Sequence, residues 1–168
     1  RNNRVGVIGT EGTIKSGAYE DAFAAASELE LFTRACPRFV EFVEAGVTSS
    51  PELFRVAEAY LAPLKAAGVD TVVLGCTHYP LMSAAIQFVL GNSVTLVSSA
   101  EETAFDVFDT LVNHEMLRVA TTPPTYRFEA TGDSKTEFLT LAGRFRDTEV
   151  SAVQLVETTP PRTAEELT

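Results

Sequence analysis

The sequence predicts an α/β fold with a largely parallel sheet. Short apolar runs at 5–9, 71–74 and 94–97 have the continuous hydrophobicity of strands that are buried on both faces. Longer amphipathic stretches separate these runs, and helices that join parallel strands form right-handed crossovers. Polar loops follow two of the runs directly, and a sheet of this kind binds its ligands at the carboxyl ends of its strands. The sequence therefore predicts a site at that edge.

The predicted elements alternate between strand and helix along most of the chain. Proline opens the helices that begin at Pro37 and Pro51, and glycine follows their ends at Gly46 and Gly68. Apolar spacing assigns the remaining elements. The predicted strands are 5–9, 29–35, 71–74, 94–97, 126–130 and 150–156, and the predicted helices are 14–27, 37–44, 51–67, 80–90, 100–115 and 134–145.

The chain divides into three predicted segments. Residues 1–98 form one α/β domain, 99–156 form a separate segment, and 157–168 form a disordered tail with little apolar surface to bury. A further joint is predicted at 121–124. The chain starts without Met and enters a buried strand almost at once, so we expect it to be a fragment.

Composition restricts the function classes. The 168 residues suffice for a domain with a core, and 45% hydrophobic with 21% charged residues is typical of globular proteins. A net charge of −10 argues against binding nucleic acid. No apolar stretch is long enough to span a membrane, and two cysteines are too few for a disulfide framework. We therefore expect a cytoplasmic location.

The loop at 75–80 carries a thiol, a hydroxyl and an imidazole between a strand and a helix. A helix amino terminus and a neighbouring imidazole both stabilise a thiolate, so Cys76 is a candidate base or nucleophile. His78 is placed to tune the thiol or donate a proton, and Thr77 to cap the helix or bind an anionic substrate. The alternative is that Cys76 is an ordinary core cysteine.

A second loop, at 9–13, also lies between a strand and a helix. The hydroxyls of Thr10 and Thr13 and the main-chain N–H groups suit a carboxylate, although the loop also fits an ordinary tight turn. Its glycine spacing matches neither a dinucleotide fingerprint nor a P-loop.

A metal site is not predicted. Cys76 and His78 are spaced unusually for zinc ligands, and only Cys36 and His114 remain as further soft ligands. Cys36 has no histidine near it in sequence, so we expect it to be structural.

Three stretches together resemble the glutamate racemases of the aspartate/glutamate racemase superfamily. They are the loop at 75–80, the run at 5–13, and the stretch at 36–46 that contains an acidic helix. They occur in the family's order, and the resemblance extends from Arg4 to about Phe145. It implies the parallel-sheet aspartate/glutamate racemase fold, with a complete α/β domain at 1–98. Residues 99–156 would be the returning part of the first, mostly missing, domain.

The resemblance also implies roles for individual residues. Cys76 would remove the α-proton of L-glutamate, with His78 assisting the thiol. Thr77, Thr10 and Thr13 would bind the substrate.

Glu44 matches an acidic residue that lies near the substrate's ammonium group in the family. The alternative is that Glu41 and Glu44 form the solvated face of an amphipathic helix.

One cysteine is not sufficient for racemisation. Inverting a stereocentre by proton transfer requires a base on one face and an acid on the other. The resemblance implies three upstream features: a partner cysteine in an Asn-Thr motif, an Asp-Ser pair and a Tyr-Gly pair. No Asn-Thr or Tyr-Gly pair occurs in the sequence, and its Asp-Ser pair, Asp133-Ser134, lies downstream of the Cys76 loop rather than upstream. Cys36 corresponds to a non-catalytic cysteine, so we expect the chain alone to be inactive.

The family resemblance therefore implies a glutamate racemase that needs no cofactor or metal. Its D-glutamate would supply peptidoglycan synthesis, its substrate partner would be free glutamate, and the intact enzyme would be a homodimer. The alternatives are a racemase for aspartate or another amino acid and a non-catalytic dicarboxylate-binding domain.

Overall fold

A computed structural model describes residues 1–119, 121–131, 134–145, 150 and 152–157. The chain forms two compact units, Arg1–Leu117 and Arg118–Thr168. The first unit is built on a four-stranded parallel sheet with the strand order β2-β1-β3-β4. Its strands are β1 (Arg4–Gly9), β2 (Glu30–Ala35), β3 (Thr71–Leu74) and β4 (Thr95–Ser98).

Six α-helices accompany this sheet. They are α1 (Glu11–Lys15), α2 (Ala18–Phe23), α3 (Arg38–Glu44), α4 (Pro51–Ala67), α5 (Ser83–Leu90) and α6 (Ser99–Asn113). The bounds of α4 follow from its local sequence: Ser50 accepts a hydrogen bond from the Leu53 amide, and Gly68 ends the helix with a left-handed φ of 70°. The predicted α/β alternation and the parallel sheet are confirmed.

The core lies between the sheet and its helices. The central strands contribute Ile8, Val72 and Leu74, and α4 contributes a stripe of leucines and an alanine on one side. Burying a side chain of this size stabilises the fold by roughly 1.5–3 kcal/mol. The fully buried members with the largest side chains are Tyr79, Phe39, Ile8, Leu53, Leu61, Leu64, Leu74, Met82 and Ile86. The sheet edge that bears the loops is thus anchored on a packed core.

Two predicted helices are wrong in detail. The predicted helix at 14–27 is divided into α1 and α2, because Gly17 adopts a left-handed φ of 70° that ends one helix and starts the next. The predicted helix at 80–90 begins instead as a 3-10 turn, Tyr79–Met82, before α5. Both differences lie beside the predicted site.

The second unit contains a two-stranded parallel sheet and one helix. The strands are β5 (Glu129–Ala130) and β6 (Gln154–Leu155), and the helix is α7 (Lys135–Phe145). Both strands are shorter than the predicted strands at 126–130 and 150–156 as far as the described residues extend. The predicted tail at 157–168 lies outside the described residues except for Glu157. The assignment of 1–98 and 99–156 to separate racemase domains stays a prediction.

Within the described part of the chain, no helix is both long and apolar enough to cross a membrane.

Candidate active site

The two predicted loops leave neighbouring strands at the same edge of the sheet. Thr10 follows β1 and Cys76 lies just after β3, and these strands pair in parallel with Ile8 opposite Leu74. The Gly75 amide donates a hydrogen bond of 2.8 Å to the Ile8 carbonyl, which extends the pairing beyond the end of β3. The sheet therefore holds the loops side by side, as the parallel topology predicted.

The threonine loop is closed by its own hydroxyls. Thr10 caps α1, accepting a hydrogen bond of 3.3 Å from the Thr13 amide, and the two threonine Oγ1 atoms lie 2.9 Å apart. Both residues are half-buried. The pair presents two adjacent hydroxyls at the sheet edge. One donates to the other, which leaves one O–H to donate to an anionic oxygen.

The cysteine loop brings an imidazole onto the thiol. Cys76 is half-buried, and its Sγ lies 3.9 Å from His78 Nδ1. Thr77 Oγ1 lies 3.5 Å from the same nitrogen. The Tyr79 amide donates to the Cys76 carbonyl at 3.2 Å, which closes the turn between them. A 3-10 turn separates the thiol from α5, and Sγ contacts the His78 imidazole instead of lying at the first turn of an α-helix.

Glu44 completes a chain of three side chains. It is the last residue of α3, and its Oε1 lies 3.6 Å from His78 Nε2. The imidazole therefore lies between a carboxylate and a thiol, with its two nitrogens facing opposite groups. A carboxylate that holds one ring nitrogen orients the other toward the acid or nucleophile it serves. This arrangement can move a proton to or from Cys76.

The two acidic residues of α3 differ in their contacts. Glu41 pairs with Arg38 at 3.7 Å on the helix surface, and 70% of its side chain is exposed. Glu44 faces His78, although half of its side chain is also exposed. Glu41 therefore lies on the solvated face of the helix, whereas Glu44 borders the cysteine loop.

The two cysteines lie in different environments. Cys36 is fully buried at the end of β2, and burial raises the pKa of its thiol to about 12 even though Arg34 acts in the opposite direction. The thiol therefore stays protonated at neutral pH and packs as part of the core. This agrees with the structural role expected for Cys36, and it leaves Cys76 as the accessible thiol.

The structure places a tyrosine beside the site that the sequence did not single out. A Cβ atom at Gly75 would lie only 2.8 Å from the Tyr19 hydroxyl and 3.0 Å from the Ile8 carbonyl oxygen, so the loop requires glycine at this position. Tyr19 belongs to α2, and no sequence signal indicated it because α1 and α2 were predicted as one helix.

A cavity of about 410 Å³ opens next to the ends of β3 and β4. Its lining consists of Leu74, Pro80, Ser83, Ala84, Gln87, Leu96, Ser98 and Glu101. None of the six predicted site residues lines it, so the loops themselves define the candidate site. Among the described residues, no group of three or more His, Cys, Asp or Glu side chains is placed to hold a metal ion.

Comparisons with known proteins give a consistent result. The Asp/Glu/hydantoin racemase family model matches residues 1–105. The chain is 59% identical to a glutamate racemase of Beutenbergia cavernae over 91% of this chain and 55% of that protein. It is 57% identical to one of Mycobacterium ulcerans over 93% of this chain and 58% of that protein.

Solved structures of glutamate racemases share the fold. The enzyme of Francisella tularensis, in complex with D-glutamate, superimposes with a TM-score of 0.84 at 29% identity, covering 92% of this chain and 58% of that one. A glutamate racemase isoform from Bacillus anthracis superimposes with a TM-score of 0.80 at 36% identity, covering 94% of this chain and 58% of that one. The chain thus spans little more than half the length of the relatives it matches.

Proposed function

Because the chain belongs to the Asp/Glu/hydantoin racemase family, we propose that it supplies one half of the catalytic site of a glutamate racemase. The observation that carries this proposal is the chain of contacts from Glu44 through His78 to the half-buried Cys76. These contacts bring an accessible thiol and an imidazole together at the carboxyl edge of the sheet, and sheets of this kind bind ligands at that edge. The similarity to named glutamate racemases supports glutamate as the substrate.

The proposed chemistry is proton transfer at the α-carbon. The Cys76 thiolate takes the α-proton of L-glutamate, forming an S–H bond while the C–H bond breaks and its electron pair passes to the substrate carboxylate. An acid on the opposite face then protonates the carbon and gives D-glutamate. In the reverse direction the Cys76 thiol returns its proton to the same face. His78 stabilises the Cys76 thiolate before it takes the α-proton, and Glu44 orients the His78 ring.

The remaining site residues bind the substrate in this proposal. One of the paired hydroxyls of Thr10 and Thr13 donates to a carboxylate while the other donates to its neighbour, and the exposed hydroxyl of Thr77 contacts the same ligand. Glu44 also lies near the ammonium group. The glutamate racemase of Francisella tularensis in complex with D-glutamate supports a free amino acid as the ligand.

Further parts of the proposal go beyond this site. The acid on the second face would be another cysteine, outside this sequence. Two thiols can invert the centre without a cofactor. We also propose that the enzyme acts in the cytoplasm as a homodimer and supplies D-glutamate for peptidoglycan.

A chimera provides the test. The Beutenbergia cavernae relative, at 59% identity, supplies the sequence that this chain does not cover. Racemisation of L-glutamate and L-aspartate is then followed by circular dichroism, with solvent deuterium incorporation at the α-carbon measured by NMR. The proposal predicts inversion and exchange with glutamate, and little of either with aspartate.

Two other outcomes would contradict the proposal. Faster exchange with aspartate would indicate a racemase of different specificity. Calorimetric binding of glutamate without any exchange would indicate a dicarboxylate-binding domain.

A further inference from the structure

We infer that Tyr79 is a positioning residue that holds His78 against the Cys76 thiol. Its hydroxyl donates a hydrogen bond of 2.9 Å to the Cys36 carbonyl at the end of β2, forty-three residues away in sequence. Its amide donates to the Cys76 carbonyl at 3.2 Å. The same residue therefore closes the thiol turn and fastens it to a neighbouring part of the fold. This role rests on the proposed function of Cys76.

The ring of Tyr79 also fixes the loop relative to α3. The side chain is fully buried, and its ring meets Phe39 edge to face at a centroid distance of 5.4 Å and an angle of 85°. Phe39 lies in α3, the helix that ends at Glu44. Edge-to-face pairs contribute stabilisation beyond the area they bury, and their geometry is directional. The contact thus sets the distance between the helix that carries the carboxylate and the loop that carries the imidazole.

These contacts determine where His78 can lie. It occupies the position directly before Tyr79, with Glu44 at 3.6 Å from one ring nitrogen and Cys76 Sγ at 3.9 Å from the other. Both distances are at the outer limit of polar contact, so a small shift of the loop would break one of them. A tyrosine tied at both its main chain and its hydroxyl prevents that shift.

The hydroxyl keeps its role as a donor over a wide pH range. Burial raises the pKa of Tyr79 above its ordinary value, and negative charge on Cys36 or Cys76 raises it further when these thiols ionise. The phenol therefore stays protonated wherever the sheet is folded at ordinary pH. Phenylalanine would fill the same space but would leave the Cys36 carbonyl without this donor.

The test uses the alkylation rate of Cys76 in the purified chain. Iodoacetamide reacts with thiolates, and peptide mapping by mass spectrometry separates Cys76 from the buried Cys36. The four proteins compared are wild type, Tyr79→Phe, His78→Ala and the double variant. We expect each single substitution to slow alkylation of Cys76 at neutral pH by roughly threefold or more, because the imidazole no longer stabilises the thiolate.

The double variant separates positioning from mere stability. If Tyr79 acts through His78, its loss changes nothing once the imidazole is gone, so the double variant should react as slowly as His78→Ala and no slower. Tyr60→Phe is the matched control, because Tyr60 also meets the Phe39 ring edge to face, at 5.5 Å, but lies on α4. It should react at the wild-type rate.

Two results would overturn the inference. One is a wild-type alkylation rate in Tyr79→Phe, and the other is a double variant slowed by the product of the two single effects. If Tyr79→Phe fails to fold, Phe39→Leu replaces it in the test. This substitution keeps the hydrogen bond from the Tyr79 hydroxyl to the Cys36 carbonyl and removes the contact between the two rings. We expect a smaller slowing in that variant, and no slowing would contradict the inference. Alkylation requires no turnover, so this outcome is independent of whether the chimera racemises glutamate.

Discussion

At the scale of single residues, environment rather than residue type separates the two cysteines. Cys36 and Cys76 each follow a strand of the same sheet, yet the first is fully buried and the second is half-buried beside an imidazole. Desolvation disfavours a thiolate, whereas an adjacent imidazole favours it. The structure therefore assigns packing to one thiol and leaves the other available for chemistry.

The buried thiol and phenol make the fold sensitive to alkali. The pKa of Cys36 rises from 9.0 to about 12 on folding, so the unfolded chain loses this proton first. The stabilisation that comes from keeping the Cys36 thiol protonated is fully present below about pH 9. It is lost as the pH rises toward about 12, and the free energy of unfolding falls by up to about 1.4 kcal/mol per pH unit. The pKa of Tyr79 is also raised by burial, so the loss steepens above about pH 10. Urea titrations at pH values from about 8 to about 10.5 measure this fall in the free energy of unfolding.

Single substitutions show how much of the stability lost at high pH is due to Cys36 and how much to Tyr79. Cys36→Ala should flatten the fall in unfolding free energy between about pH 9 and 10, and Tyr79→Phe should flatten it only above about pH 10. A wild-type unfolding free energy that stays constant to about pH 10.5 would show that these groups titrate alike in the folded and unfolded chain.

At the scale of elements, one glycine separates α1 from α2. Gly17 has a φ of 70°, and a Cβ there would meet no atom within 4 Å, so only backbone strain opposes a side chain. This turn determines the start of α2, the helix from which Tyr19 reaches Gly75.

Gly17→Ala should lower the unfolding free energy by about 1 kcal/mol, because a left-handed backbone is unfavourable for alanine. Gly12→Ala is the matched control. It lies in α1 with open space around it and without a positive φ, so alanine should raise the unfolding free energy by about 0.5 kcal/mol. Chemical denaturation measures both. An equal effect of the two substitutions would show that backbone strain at Gly17 is not the cause.

Some of these elements could be predicted from the sequence, and others could not. Apolar runs identified three strands of the main sheet, alternating polarity identified β2, and proline and glycine marked α4, because these signals act within a few residues. The break at Gly17 was missed because apolar spacing continues through it. The loop residues Thr10, Cys76 and His78 could be selected from their place between strand and helix, whereas the bond from Tyr79 to the Cys36 carbonyl depends on tertiary packing.

At the scale of the whole molecule, the main core belongs to the first compact unit. Every residue of the large buried cluster lies within Arg1–Leu117, and the sheet with both loops lies there as well. The helix α6 closes this unit without burying any of its residues. The first unit thus contains the buried surface that a cooperative fold requires.

Residues 1–117 should therefore fold without the remainder of the chain. We expect a single cooperative thermal transition with a midpoint within about 5 °C of that of the full 168-residue chain. Circular dichroism at far-ultraviolet wavelengths measures both transitions. A broad, non-cooperative transition in the shorter protein would show that residues beyond Leu117 are needed for the core.

In the proposed enzyme, Cys76 is the group that exchanges the α-proton of L-glutamate. Its most direct test is the rate of deuterium incorporation by the chimera carrying Cys76→Ser, measured by NMR beside the chimera carrying Cys36→Ala. General acid–base catalysis contributes roughly 10²–10⁴-fold, so Cys76→Ser should slow deuterium exchange by about that factor. The chimera carrying Cys36→Ala should exchange at the rate of the unsubstituted chimera. Exchange at an undiminished rate in Cys76→Ser would show that Cys76 is not the group that takes the α-proton.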